Sequence, residues 1–122
     1  MNNEALIIDY DCGNIGCILN VLNHIGISSR ICNIVDYETI DPIEYNVVVL
    51  PGVGNFQNAS NYITNIINMN DFSSWIQSSN KVIAICLGFQ LLFKQSSEVK
   101  TINPCISPGF GLINSDVISL DK

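Results

Sequence analysis

Apolar residues along this chain fall into two patterns: short unbroken runs, and stretches where they recur every three or four positions. Ala5-Leu6-Ile7-Ile8, Val47-Val48-Val49-Leu50 and Lys81 to Ile85 are of the first kind. Runs of that length read as strands buried on both faces, as in a parallel sheet. Ile27 to Asn33 adds another strand candidate. Ile15, Ile18, Leu19, Leu22 and Ile25 line one helix face, and Gly26 stops that helix at its C′ position. A further helix begins near Asn55 with Phe56, Ala59, Ile63, Ile66 and Ile67 on one face. Asp71 is placed to cap a short helix that buries Phe72, Trp75 and Ile76. Val35 to Tyr45 is acidic and holds Pro42, so it reads as a connection with a turn of helix. Strands alternating with helices predict an α/β fold. Its sheet is mainly parallel and wound right-handedly, with helices on both faces. From Lys94 the pattern changes: Gln95 to Gly111 reads as loop, and Leu112-Ile113 and Val117 to Leu120 as short strands.

One junction carries chemistry. The run ending at Ile85 passes through Cys86 and Leu87-Gly88-Phe89-Gln90 into a second apolar run, Leu91-Leu92-Phe93. Strand, tight turn and helix in that order form a nucleophile elbow, which lifts the apical side chain out of the sheet. Ala84 and Gly88 leave room for the bend. The following helix aims the positive end of its dipole at the apex. Cys86 is therefore the candidate nucleophile.

In a parallel sheet every strand ends at one edge, and ligands bind beyond it. Asp9 to Asn14, Pro51-Gly52-Val53-Gly54 and Cys86 to Gln90 all fall there. Glycines let a backbone approach a ligand and turn its N–H groups inward. Val53 and Leu87 can each offer one N–H to a tetrahedral oxyanion formed by attack of Cys86 on a carbonyl.

Composition narrows the class. The chain has 122 residues, 48% hydrophobic and 13% charged, so it is expected to form one ordered domain. The net charge of −6 and the lack of a basic cluster argue against nucleic acid or an anionic membrane surface. The start of the chain lacks the features of a signal peptide, and the cytoplasm is expected. The cysteines at 12, 17, 32, 86 and 105 are odd in number and form no C-x-x-C pair. Neither a disulfide framework nor a zinc site is expected, and no metal or cofactor is called for. Cys17 and Cys32 read as small buried hydrophobes. The one histidine, His24, sits beside the apolar stripe of the first helix, in the wrong place for a catalytic base. The many Asn and Ile residues read as coding bias.

Four segments resemble the class I, triad-type glutamine amidotransferases, and within them the glutaminase subunits of imidazole glycerol phosphate synthases. They are Ile8-Asp9-Tyr10 with Gly13-Asn14, Leu50 to Phe56, Ile85 to Phe93 with Ser96-Ser97-Glu98, and Gly109-Phe110-Gly111-Leu112-Ile113. The resemblance implies a flavodoxin-like sheet and hydrolysis of glutamine to glutamate and ammonia through a Cys86 thioester. It places Val53 and Leu87 in the oxyanion hole and Gly52 and Gln90 on the glutamine. Ammonia would pass to a (β/α)8-barrel synthase in a heterodimer, with Asp11 and Asn14 at or near the interface.

The chain departs from the family pattern at Ala84 and Asp11, where glycine is usual, and holds no His-x-Glu pair to complete a triad. The sequence-based expectation is a single domain over residues 1–122, incomplete at its C-terminal side and slow with glutamine, because proton transfer contributes about 10²- to 10⁴-fold. Leu112, Ile113, Val117, Ile118 and Leu120 are then expected to leave an apolar edge that favours association. Three rivals stand beside this reading. One is a relative supplying ammonia for surface-polysaccharide sugar amidination. Another is a non-catalytic subunit that only binds a synthase. The third is a receiver-type module holding a cation at Asp9 and Asp11, which lacks the acidic residue such a module needs at Leu50-Pro51.

Overall fold

The computed structural model describes residues 4–97 and 106–120. Glu98 of the third matching segment and Cys105 lie outside them. Four parallel strands make the main sheet: β1 (Glu4–Asp9), β2 (Ser28–Asn33), β3 (Val47–Leu50) and β4 (Val82–Ala84), in the order β2-β1-β3-β4. The helices are α1 (Ile15–His24), α2 (Phe56–Ile66), α3 (Met69–Gln77) and α4 (Leu87–Gln90).

Strand periodicity splits the core in two. Ala5, Ile7 and Val49 face one side, where Ile15, Ile18, Leu19 and Leu22 of α1 cover them. Leu6, Ile8, Val48 and Leu50 face the other, against Phe56 and Ile63 of α2 and Phe72 and Ile76 of α3. The flanking helices and the parallel sheet are those expected of an α/β fold. Ile25, placed on the apolar stripe from sequence, caps the end of α1 and is exposed. Gly26 does take the left-handed conformation that ends a helix, at φ 80.

The connection from β2 to β3 forms two 3-10 turns, Ile34–Thr39 and Pro42–Glu44. Tyr37 from the first stands edge-on to Phe72, with ring centroids 5.1 Å apart, and Phe72 meets Phe110 at 5.0 Å. Trp75 donates its indole N–H to the Ile40 carbonyl at 2.9 Å. Four of the described helical starts share one device. Asn14, Asn33, Asn55 and Asn68 each accept a backbone N–H at the beginning of a helix or 3-10 turn. Asn68, not Asp71, caps α3; Asp71 lies one turn inside, and its own N–H is the one that Asn68 receives.

After the elbow the chain departs from expectation. The helix does not run through Leu91-Leu92-Phe93 but stops at Gln90, and β5 (Phe93–Ser96) begins at once. Tertiary pairing overrides helical propensity here. Phe110, Ile113 and Gly111 donate to the carbonyls of Leu91, Leu92 and Phe93, at 2.7, 2.9 and 3.2 Å. Gly109 permits the approach, since a Cβ there would collide with the Phe93 carbonyl oxygen. β5 sits between β6 (Ser107–Pro108) and β7 (Ile113–Val117) in a small second sheet, parallel to β7 and antiparallel to β6. The stretch read as loop from Gln95 therefore starts within a strand. The two short strands expected near the end are one, β7. Leu112 and Val117 pack on the core, and Ile118 and Leu120 are exposed.

Among the described residues β4 is an outer strand of the sheet, and its α1-side face is only partly covered. Cys17, Val21, Ile83 and Ile85 line an apolar groove of about 240 Å³ there. Ile83 is 52% exposed although it belongs to a run that reads as buried.

Phe72→Ala is expected to cost about 4 kcal/mol, because three aromatic rings and the Leu50 face of the sheet lose their common partner. The urea midpoint at unchanged m-value measures it.

Candidate functional site

The strand order decides where ligands can enter. From β1 the chain crosses to β2 on one side, then returns past β1 to β3 on the other. The carboxyl ends of β1 and β3 therefore flank the switch point of the sheet, where crevices open in such folds. The loop after β1, the loop after β3 and the elbow after β4 meet at this edge.

Cys86 is exposed and adopts φ 50 and ψ −111. Its turn closes with Gly88 N–H donating to the Ile85 carbonyl at 2.9 Å. Those angles are what a type II′ turn asks of its first central residue, a position that glycine normally fills. Holding a side chain there costs on the order of 1–3 kcal/mol, and such strain collects at functional sites. Gly88 must be bare. A Cβ on it would strike the Leu50 carbonyl oxygen and come within 2.9 Å of the Pro51 oxygen. The Ile85 N–H donates to that same Leu50 carbonyl at 3.0 Å. The helix after Cys86 is a single turn, shorter than expected, and begins with no side-chain cap.

The two expected oxyanion donors lie together, and both are occupied. Leu87 N–H donates to the Gly52 carbonyl at 3.3 Å, and Val53 N–H to the Cys12 carbonyl at 2.5 Å. The Gly52 carbonyl and Val53 N–H belong to one peptide unit, whose two ends point in opposite directions. That peptide turns its oxygen to the elbow and its N–H to the first loop. A Cβ on Gly52 would lie 2.5 Å from the Gly88 nitrogen and 2.8 Å from the Leu87 Cβ, so the loop and the elbow are in close contact.

In the first loop, Asp11 takes φ 65, a conformation that Asp tolerates better than most residues, and its N–H bonds the Asp9 carboxylate at 3.0 Å. Burial, then Asp11 and Asp9, push the Cys12 thiol up, which disfavours its thiolate. Asn14 caps α1 by accepting Cys17 N–H at 3.3 Å. Gln90 ends α4 and is half-buried. Cys32 is buried as expected, but Cys17 is exposed on α1, because the α1 face beside it covers only part of the sheet. His24 is exposed at the end of α1, just before β2 starts, and so lies at the opposite edge from Cys86. Among the described residues no cluster of His, Cys, Asp and Glu could hold a metal ion. Among them too, no helix is long and apolar enough to cross a membrane. One residue that sequence reasoning named only within a matching segment, with no role of its own, is Tyr10, fully buried directly after β1 with its hydroxyl donating to the Pro51 carbonyl. Its signal was a bulky aromatic residue in a turn of otherwise small ones.

The model of the family described as glutamine amidotransferase class-I matches residues 6–118. This chain belongs to that family. Among curated relatives, "Imidazole glycerol phosphate synthase subunit HisH" of Wolinella succinogenes is 31% identical over 116 residues, covering 95% of this chain and 52% of the relative. The protein of the same name from Prochlorococcus marinus (strain MIT 9211) is 31% identical over 122 residues, covering 100% and 53%. That of Staphylococcus aureus (strain N315) is 34% identical over 93 residues, covering 76% and 45%. The chain spans about half the length of the curated relatives it matches.

Two substitutions test the elbow. Cys86→Gly is expected to be more stable than Cys86→Ala by about 1 kcal/mol, the relieved strain less the entropy of glycine. Gly88→Ala is expected to lose at least about 2 kcal/mol through the clash with the end of β3. Chemical denaturation of each variant against the parent chain measures both.

Proposed function

We propose that this chain carries the nucleophile, the oxyanion donors and part of the glutamine site of a glutaminase. The observation that carries the reading is the strained, exposed backbone of Cys86 on a II′-type turn at the ligand edge of the sheet. The Cys86 sulfur attacks the side-chain amide carbon of glutamine. A sulfur–carbon bond forms, the carbon–nitrogen bond breaks, ammonia leaves with a proton, and a glutamyl thioester remains. Water then cleaves the thioester to glutamate and restores the thiol. Gly52 and Gln90 hold the glutamine.

Turnover of the Gly52–Val53 peptide prepares the site. In one motion it withdraws the oxygen that occupies Leu87 N–H and swings Val53 N–H toward the elbow. Two donors then face the place where the oxyanion develops, each worth about 3 kcal/mol of transition-state stabilisation. The proton transfers belong to a base other than His24. The resemblance assigns them to a His-x-Glu pair.

The named relatives are synthase subunits, and by that likeness the ammonia goes to imidazole glycerol phosphate formation in a heterodimer with a barrel synthase. The exposed Asp11, with Asn14 beside it, lies at the edge where that partner would sit.

A chloroketone analogue of glutamine tests the nucleophile. Peptide mapping is expected to find the adduct on Cys86 alone, with Cys17 as the exposed internal control. Labelling of Cys17 and Cys86 to equal extents would overturn the assignment.

A further inference from the structure

We infer that Tyr10 is a positioning residue for the oxyanion loop: its hydroxyl fixes the Pro51 carbonyl, so that the Gly52–Val53 peptide turns over on a stationary base. The inference deepens the glutaminase reading above and rests on it.

Tyr10 is 1% exposed and follows β1 without an intervening residue. Its hydroxyl donates to the carbonyl of Pro51, itself fully buried. A buried phenol without a partner is costly, so the contact is retained once formed. Burial also pushes the phenol up, which keeps its proton in place as a donor. Pro51 is pressed from a second side by the first loop, where a Cβ on Gly13 would come within 2.9 Å of the proline ring. Gly52 is flanked by Tyr10 as well as by the elbow, since a Cβ there would lie 2.5 Å from the Tyr10 oxygen. The chain is thus gripped up to Pro51. The next peptide is held by two backbone hydrogen bonds, and rotation about Gly52 ψ and Val53 φ releases both. Without the Tyr10 hydroxyl the Pro51–Gly52 peptide is free to shift too. The Val53 N–H would then arrive off target, and a misplacement of about 1 Å costs a catalytic group as much as 10²-fold.

Two reactions at Cys86 separate positioning from general damage. With the γ-p-nitrophenyl ester of glutamic acid, a sulfur–carbon bond forms, the ester carbon–oxygen bond breaks and nitrophenolate leaves, through an oxyanion. With iodoacetamide, sulfur displaces iodide and no oxyanion forms. Tyr10→Phe is expected to slow acylation by about tenfold or more while alkylation stays within about twofold. Unchanged acylation, or equal losses in both reactions, overturns the inference. Amide exchange gives an independent readout, because Val53 and Leu87 are expected to exchange faster in Tyr10→Phe than in the parent chain. If the parent chain is not acylated at Cys86 yet the exchange effect appears, the glutaminase reading fails and the clamp stands. Unaltered exchange removes the clamp. Should Tyr10→Phe not fold, NMR of the parent chain decides: a slowly exchanging Tyr10 hydroxyl proton supports the contact, and its absence refutes it.

Discussion

Position 88 has no side chain, and the end of β3 fills the space where one would be. That close approach brings the Leu50 carbonyl to Ile85 N–H and the Gly52 carbonyl to Leu87 N–H, so the elbow and the loop after β3 form one packed unit. The strain at Cys86 is held by the same contacts. A side chain at φ 50 would relax if its turn were free, but the turn is fastened at Ile85, Leu87 and Gly88. Sheet topology supplies the rest by setting β3 between β1 and β4, so that three loops reach one edge.

Much of this was legible in the sequence because its signals are local. Val47 to Leu50 reads as a buried strand and is one, and the stripe from Ile15 to Leu22 lies on the sheet. The tight turn at Cys86 was readable from a cysteine between a strand and small residues. Gly26 marked where α1 ends, whereas the capping asparagines read as compositional bias and Asp71 reads as the cap that Asn68 provides. Asp11 in place of glycine was the informative departure, since its left-handed backbone is what glycine would have provided.

What escaped depends on distant parts of the chain. Leu91-Leu92-Phe93 has helical character, but residues 110–113 claim its carbonyls and draw it toward a second sheet. Local pattern contains no record of that competition. The orientation of one peptide, Gly52–Val53, is equally invisible in sequence, although it decides that the Gly52 carbonyl meets the turn at Leu87 and the Val53 N–H meets the first loop. Cys17 and Cys32 look alike as isolated residues, yet one lies on a helix whose sheet face is partly bare and the other is enclosed.

Asparagine, abundant enough to look like compositional drift, opens several of the helical elements. Its carboxamide caps about as well as a carboxylate. It forgoes the extra attraction that a negative charge would feel at the positive end of a helix. In exchange the cap has no proton to gain. A helix start held by Asp weakens as its carboxylate is neutralised in acid, whereas the starts of α1, α2 and α3 are held by groups that are the same at every pH the protein meets. Their anchoring is indifferent to acidity.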